Sequence, residues 1–92
     1  MDFEWDPAKA RSNLTKHGIS FSDVEPAFYD QYAISMPDPG ASTEERFILV
    51  GMDALGTIVV VVYTYRGISI RIISARRATK SERKSYEEGI RF

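Results

Sequence analysis

Between the turn-prone stretch Asp53-Ala54-Leu55-Gly56 and the dipeptide Arg66-Gly67, the chain is unbroken apolar from Ile58 to Val62. A strand on a half-exposed sheet alternates apolar and polar residues, so an unbroken run implies burial on both faces. Thr57 to Tyr65 is therefore expected as a central strand, in a sheet with other structure packed on it. Extended to Tyr63, the run is still far short of the roughly 20 apolar residues that cross a bilayer.

The remaining elements are read as partners of that strand. Arg46 to Met52 is expected as the strand before it, and Arg66-Gly67 as a tight hairpin turn into Ile68 to Arg77. Upstream, Gln31 to Met36 reads as a further strand and Pro37-Asp38-Pro39-Gly40-Ala41-Ser42 as a loop. After a short strand at Phe3-Glu4-Trp5, Asp6 is a good N-cap, Pro7 suits the first helical position, and Gly18 closes a helix that runs through His17. Ser22-Asp23-Val24-Glu25 has capping-box spacing, and Val24, Ala27 and Phe28 form an apolar stripe, which predicts a helix from Ser22 to Tyr29. A start at Ser20 would place Pro26 deeper in that helix. Thr79-Lys80-Ser81-Glu82 is a second capping box and opens a charged helix that reaches Glu88 and stops at Gly89. The order β-α-α-β-β-β-β-α predicts one α+β domain over residues 1–92, an antiparallel sheet with two N-terminal helices and one C-terminal helix.

Composition excludes several classes. The chain is 43% hydrophobic, with one Trp, five Tyr and five Phe, enough to fill a core. With no cysteine it has neither a disulfide framework nor a thiolate metal site. The acidic start Met1-Asp2-Phe3-Glu4-Trp5-Asp6 lacks the apolar region of a signal peptide, so a soluble protein is expected. No HExxH, P-loop, GxSxG or EF-hand spacing occurs.

The net charge of −1 conceals a segregation. Residues 1–63 carry four basic and ten acidic groups, whereas residues 64–92 carry eight basic and three acidic ones. Such a dipole either neutralises itself within the fold or steers an anionic partner to its basic end. Strict alternation along Ile68 to Arg77 would set Arg71 and Arg77 on one face and Arg76 on the other. Arg71 interrupts an apolar strand and needs an acid, a phosphate or solvent. Arg66 lies at the turn, accessible to a ligand. Arg76, Arg77 and Lys80 surround the start of the last helix, where backbone N–H groups favour phosphate. Arg83 extends the charged helix, which in isolation reads as a solvated face. Tyr86 reads as a packing residue or as a stacking or acid group. His17, the one histidine, reads as a helix-end cap or as a proton-transfer group that titrates near neutrality.

Several pieces of the chain, taken in order, resemble the BrnT family, the toxins of BrnT–BrnA type II toxin–antitoxin systems. They are Phe3-Glu4-Trp5-Asp6-Pro7-Ala8-Lys9-Ala10, Asn13, Lys16-His17-Gly18-Ile19-Ser20-Phe21, Glu45-Arg46, Gly51, Tyr63-Thr64-Tyr65-Arg66-Gly67, Ile70-Arg71-Ile72-Ile73-Ser74-Ala75-Arg76, Ala78-Thr79-Lys80, Glu82-Arg83 and Tyr86-Glu87. Pro26 and Pro37-Asp38-Pro39-Gly40 depart from the pattern, outside the basic segment.

The resemblance implies a compact RelE-like fold and a ribonuclease toxin that acts on RNA and inhibits translation in a bacterial cytoplasm. It also implies a ribbon-helix-helix, BrnA-like antitoxin that forms a hetero-oligomer with the toxin and binds operator DNA. The expected chemistry needs no cofactor and no metal: a base frees the RNA 2′-OH to attack the adjacent phosphate, cations stabilise the phosphorane, and an acid protonates the leaving 5′-oxygen. The catalytic candidates are His17, Arg66, Arg76, Glu82 and Tyr86; Arg71, Arg77, Lys80 and Arg83 are candidates to hold phosphates. A non-catalytic module that binds nucleic acid or the antitoxin is the alternative. Direct DNA binding is weaker, because no helix-turn-helix recognition helix is evident.

Overall fold

The computed structural model describes residues 1–41 and 44–90. Ser42, at the end of the expected loop, and Arg91 and Phe92, at the end of the basic segment, lie outside the described residues. The strands are β1 (Asp2–Glu4), β2 (Ile34–Pro37), β3 (Phe47–Met52), β4 (Ile58–Arg66) and β5 (Ser69–Arg77). The helices are α1 (Pro7–His17), α2 (Phe21–Val24) and α3 (Lys80–Ile90), with a 3-10 helix at Glu25–Tyr29 directly after α2. The fold is α+β.

The five strands form one sheet in the order β1-β5-β4-β3-β2. β4 is central, as its unbroken apolar run requires, and Val59, Val60 and Val61 are all buried. The sheet is mixed, which corrects the expectation of an antiparallel one: β2 to β5 are antiparallel, but β1 runs parallel to β5. Short turns dictate antiparallel pairing only between consecutive strands. Two helices separate β1 from β2, so no turn fixes its direction.

α1 begins as expected, with the Asp6 carboxylate accepting from the Ala8 N–H at 2.8 Å and Pro7 in the first turn. It ends at Gly18, whose N–H donates to the Leu14 carbonyl. The second helix differs from expectation. It starts at Phe21 with Ser20 at the cap position, and it tightens into the 3-10 helix at Glu25. Pro26 lacks an N–H and clashes with the preceding turn of an α-helix, so the chain changes helix type around it. Pro37 also departs from expectation, being the last residue of β2 rather than loop. β2 is an edge strand, where a proline forfeits no ladder hydrogen bond that the sheet needs.

One face of the sheet packs under α1, α2 and the 3-10 helix. Its core includes Phe21, Val24, Val59, Val61, Tyr63, Ile70, Ile72 and Ala75. Gly51 allows the 3-10 helix to approach β3: a Cβ there would lie 3.0 Å from the Ala27 carbonyl oxygen and 3.2 Å from Ala33 Cβ. On the other face α3 packs its core over β3 and β4, where Tyr86 meets Val50, Val60, Ile48, Ile58 and Ala78. The β5 side of this face carries no helix core, and that leaves the surface on which the arginines stand.

Candidate functional site

Two local features of the β4–β5 hairpin decide where its arginines point. The turn falls at Gly67-Ile68 rather than Arg66-Gly67, and Arg66 is the last residue of β4, paired with Ser69. Gly67 has φ +60° and Ile68 does not have a positive φ, the sign pattern of a hairpin turn with glycine at its first central position.

The second feature is a β-bulge. Val62 pairs with Ser74 and Tyr63 with Ile72, so Ile73 has no partner on β4. A bulge shifts the alternation by one, and every residue beyond it changes face. Ile70, Ile72 and Ala75 therefore all enter the same core. Arg71 pairs with Thr64 and Arg76 with Val60, while Arg66 follows two residues after Thr64. Arg66, Arg71 and Arg76 consequently share the open face, together with Ser69 and Ser74. This overturns the strict alternation that put Arg71 and Arg76 on opposite faces. Arg77, paired with Val59, belongs to the other face.

Each arginine on this face is held differently. Arg71 meets Glu4 of the neighbouring β1 through one contact of 3.4 Å, with both side chains partly exposed. A single long pair at a wet surface contributes little and leaves most of the guanidinium donors free. Arg76 is fixed in place: its Nη1 and Nη2 donate to Glu82 at 2.8 and 2.9 Å, and Nη1 also reaches the Arg77 carbonyl. Glu82 holds the guanidinium above its usual pKa, against the pull of burial. In turn, the hydrogen bonds from Arg76 hold the Glu82 carboxyl down at about 2, helped by the Thr79 N–H and opposed by burial. Glu82 is thus an anion with committed oxygens at neutral pH.

The same carboxylate closes the α3 capping box. Glu82 Oε1 accepts from the Thr79 N–H at 2.8 Å, and the Glu82 N–H donates to Thr79 Oγ1 at 3.2 Å. The anion at this helix start is therefore the chain's own Glu82, where a phosphate cradled by Arg76, Arg77 and Lys80 was expected. Lys80 and Arg83 are exposed and line a groove of about 250 Å³ along α3 with Lys84 and Glu87.

Tyr86 is only 2% exposed and packs in the α3 core. Its hydroxyl donates to Asp30, which also accepts from the Tyr32 and Met52 N–H groups. Burial, and then the bond to the Asp30 carboxylate, push the phenol up to about 12. Burial would raise Asp30, but those three hydrogen bonds outweigh it and hold the carboxyl below its usual range. Asp30 joins the end of the 3-10 helix, the end of β3 and α3. It belongs to no motif, and the pairing across 56 residues has no signature in the sequence.

At the far side of β5, β1 stops pairing at Arg71, and α1 takes over the edge. Asn13, 7% exposed, donates from Nδ2 to the carbonyls of Ile19 (3.0 Å) and Ala75 (2.8 Å), and its Oδ1 accepts from the Ala75 N–H at 3.1 Å. Its amide acts as a substitute strand neighbour one residue from Arg76. The clamp sets His17, half-buried in the last turn of α1, in a shallow cleft of about 180 Å³ with Lys9, Ser12, Lys16, Ile73 and Ser74. Asn13 is among the residues that carry the family resemblance, but its position inside a helix gives no hint of a partner 62 residues away.

The structure thus brings Arg66, Arg71 and Arg76 to one face and sets His17 at that face's border beside Ser74. It assigns Glu82 to holding Arg76 and Tyr86 to the core, and it separates Arg77 from the group. No cluster of three or more His, Asp or Glu residues suited to a metal ion occurs among the described residues. No helix among them is long and apolar enough to cross a membrane.

Residues 5–82 match the protein family described as "Ribonuclease toxin, BrnT, of type II toxin-antitoxin system". Among solved structures the chain is similar to the 1.1 Å crystal structure of the Brucella abortus ribonuclease toxin, BrnT. The TM-score is 0.68 at 26% sequence identity, over 87% of this chain and 99% of that one. No curated protein matches the chain. The family match spans the arginine face, the His17 cleft and the α3 capping box, and on it the chain belongs to the BrnT family, ribonuclease toxins of type II toxin–antitoxin systems, with an antitoxin as its partner.

Proposed function

We propose that this chain acts as one domain, a metal-independent endoribonuclease whose RNA lies on the open β5 face, and that its cleavage of RNA inhibits translation. The observation that carries the reading is the bulge at Ile73, which gathers Arg66, Arg71 and Arg76 on one face in a chain of a ribonuclease toxin family.

In the reaction, the ribose 2′-oxygen forms a bond to phosphorus as its proton passes to a base. The phosphorus–5′-oxygen bond breaks, and the leaving oxygen takes a proton from an acid. The products are a 2′,3′-cyclic phosphate and a free 5′-hydroxyl. His17, in the cleft that borders the arginine face beside Ser74, serves as the acid or the base. Arg66 and Arg71 hold phosphate oxygens, and Arg76, preset by Glu82, neutralises the charge that develops on the phosphorane. Preset donors stabilise a transition state more than mobile ones, since they need no reorganisation as charge builds. Glu82, an ion with its oxygens engaged, supports the site from behind as a positioning residue, whereas Tyr86 is a buried phenol that packs α3 on the sheet. Lys80 and Arg83 offer further phosphate contacts from α3. Arg77, on the opposite face, binds RNA only if the strand wraps the end of β5.

The fold reading accompanying this function is RelE-like. The proposed partner is a ribbon-helix-helix antitoxin, with which the toxin binds operator DNA and by which it is silenced. The test is purified protein mixed with a defined RNA in EDTA. Discrete new 5′-hydroxyl ends support the enzyme; RNA that is retarded on a gel but intact supports the alternative, a module that only binds.

A further inference from the structure

We infer that the cleft between α1 and the bulged edge of β5 is a second phosphate subsite, which takes the phosphodiester next to the one held on the arginine face. The inference rests on the RNA reading above and gives the cleft that holds His17 a binding role of its own, carried by Lys9 and Lys16.

Cutting the chain by charge at residue 64 makes its first part look acidic, but the fold redistributes that charge. Three of the four basic residues of residues 1–63, Lys9, Arg11 and Lys16, stand on α1. Lys9 and Lys16 are seven residues apart, two helical turns, and so share one side of the helix. Both line the cleft against β5, with His17 and the hydroxyls of Ser12 and Ser74, and no acidic residue lines it. Arg11 turns to a different cleft, with Trp5, Leu14 and Phe21.

Three features separate this cleft from an ordinary solvated lysine face. Its floor is fixed, because the Asn13 amide spends its oxygen and its nitrogen on Ala75 and Ile19. Its donors are of the kinds that bind phosphate oxygens, namely two ammonium groups and two hydroxyls. It is also continuous with the arginine face: Ser74, on its rim, pairs with Val62 and points to the same side as Arg71 and Arg76. An RNA strand leaving Arg71 along β5 therefore meets Ser74 and then Lys9 and Lys16.

The test is fluorescence anisotropy on a short RNA with methylated 2′-hydroxyls, which binds but is not cleaved, titrated at several salt concentrations. The proteins are wild type, the double variant Lys9→Ala/Lys16→Ala, the control Arg11→Ala, and Arg71→Ala. The double variant is expected to bind about tenfold more weakly at low salt, with a shallower salt dependence, by about 0.7 in the log–log slope for one phosphate no longer neutralised. Arg11→Ala is expected to change affinity by less than about twofold, since Arg11 lines a different cleft from Lys9 and Lys16. If the double variant matches Arg11→Ala while Arg71→Ala binds weakly, the subsite is overturned and the RNA reading stands. If the wild type does not hold the strand even at low salt, both fall. If the double variant binds RNA normally but releases an acidic antitoxin peptide, the cleft is a protein-docking surface and the subsite is again overturned.

Discussion

Arg76 and Glu82 share two hydrogen bonds, 2.8 and 2.9 Å long, and through them the last helix holds a cation of β5 in position. Parallel bonds from a planar guanidinium to a carboxylate fix direction as well as distance. Because the same carboxylate caps α3, the orientation of Arg76 depends on the start of that helix.

Glu82→Gln should therefore impair catalysis without removing any group that touches RNA. The amide keeps the shape but loses the charge, so Arg76 is free to wander. Single-turnover cleavage is expected to slow by about 10–100-fold, the scale of a misplaced catalytic group. RNA affinity should change little. A variant with wild-type turnover would show that Arg76 needs no positioning.

Acid should weaken the same pair. Glu82 titrates near 2 in the folded chain, against an ordinary value of 4.5. Its stabilising contribution is complete above about 4.5 and is lost as the pH falls through about 2. Discounted for solvent screening of a pair whose side chains are 43% and 30% exposed, it amounts to about 1–2 kcal/mol. Thermal unfolding followed between pH 5 and pH 2 should show this loss, in the same direction as that from Asp30. In Glu82→Gln the decline over that window should be smaller; an identical decline would assign it elsewhere.

Tyr86→Phe separates packing from chemistry. The ring stays in its core, but Asp30 loses one of three donors, and a hydrogen bond to a charged group contributes about 1.5–3 kcal/mol. The variant should melt earlier, and each folded molecule should cleave RNA at the wild-type rate. A large fall in rate with unchanged melting would return the phenol to the reaction.

Gly51→Ala tests the close approach of the 3-10 helix to β3. The new methyl would meet the Ala27 carbonyl oxygen at 3.0 Å and Leu49 Cδ2 at 3.1 Å, and neither the backbone nor the packed side chain can retreat freely. Overpacking of this kind costs about 1–3 kcal/mol, measured by denaturant unfolding.

The parts of the fold that are written locally were readable in the sequence. Ile58 to Val62 marked the central strand, Asp6-Pro7 and Gly18 bounded α1, and Thr79 to Glu82 opened α3. What escaped depends on contacts between distant segments. Nothing in Ile72-Ile73-Ser74 announces a bulge, because the extra residue is defined against Val62 and Tyr63 on the next strand. That one residue decides whether Arg71 and Arg76 share a face. Asn13 and Asp30 were invisible for the same reason, since their partners lie 62 and 56 residues away. Glu82 was visible as a capping residue but not as the anion that occupies the place proposed for phosphate.

The most direct measurement is single-turnover cleavage of a defined RNA in EDTA by wild type and by Arg76→Ala, with melting temperatures recorded alongside. If developing negative charge on phosphorus is met by Arg76, the variant should stay folded and lose about 10²–10³-fold in rate, the scale of deleting one preset donor. A folded Arg76→Ala protein that cleaves RNA as fast as wild type would contradict the account.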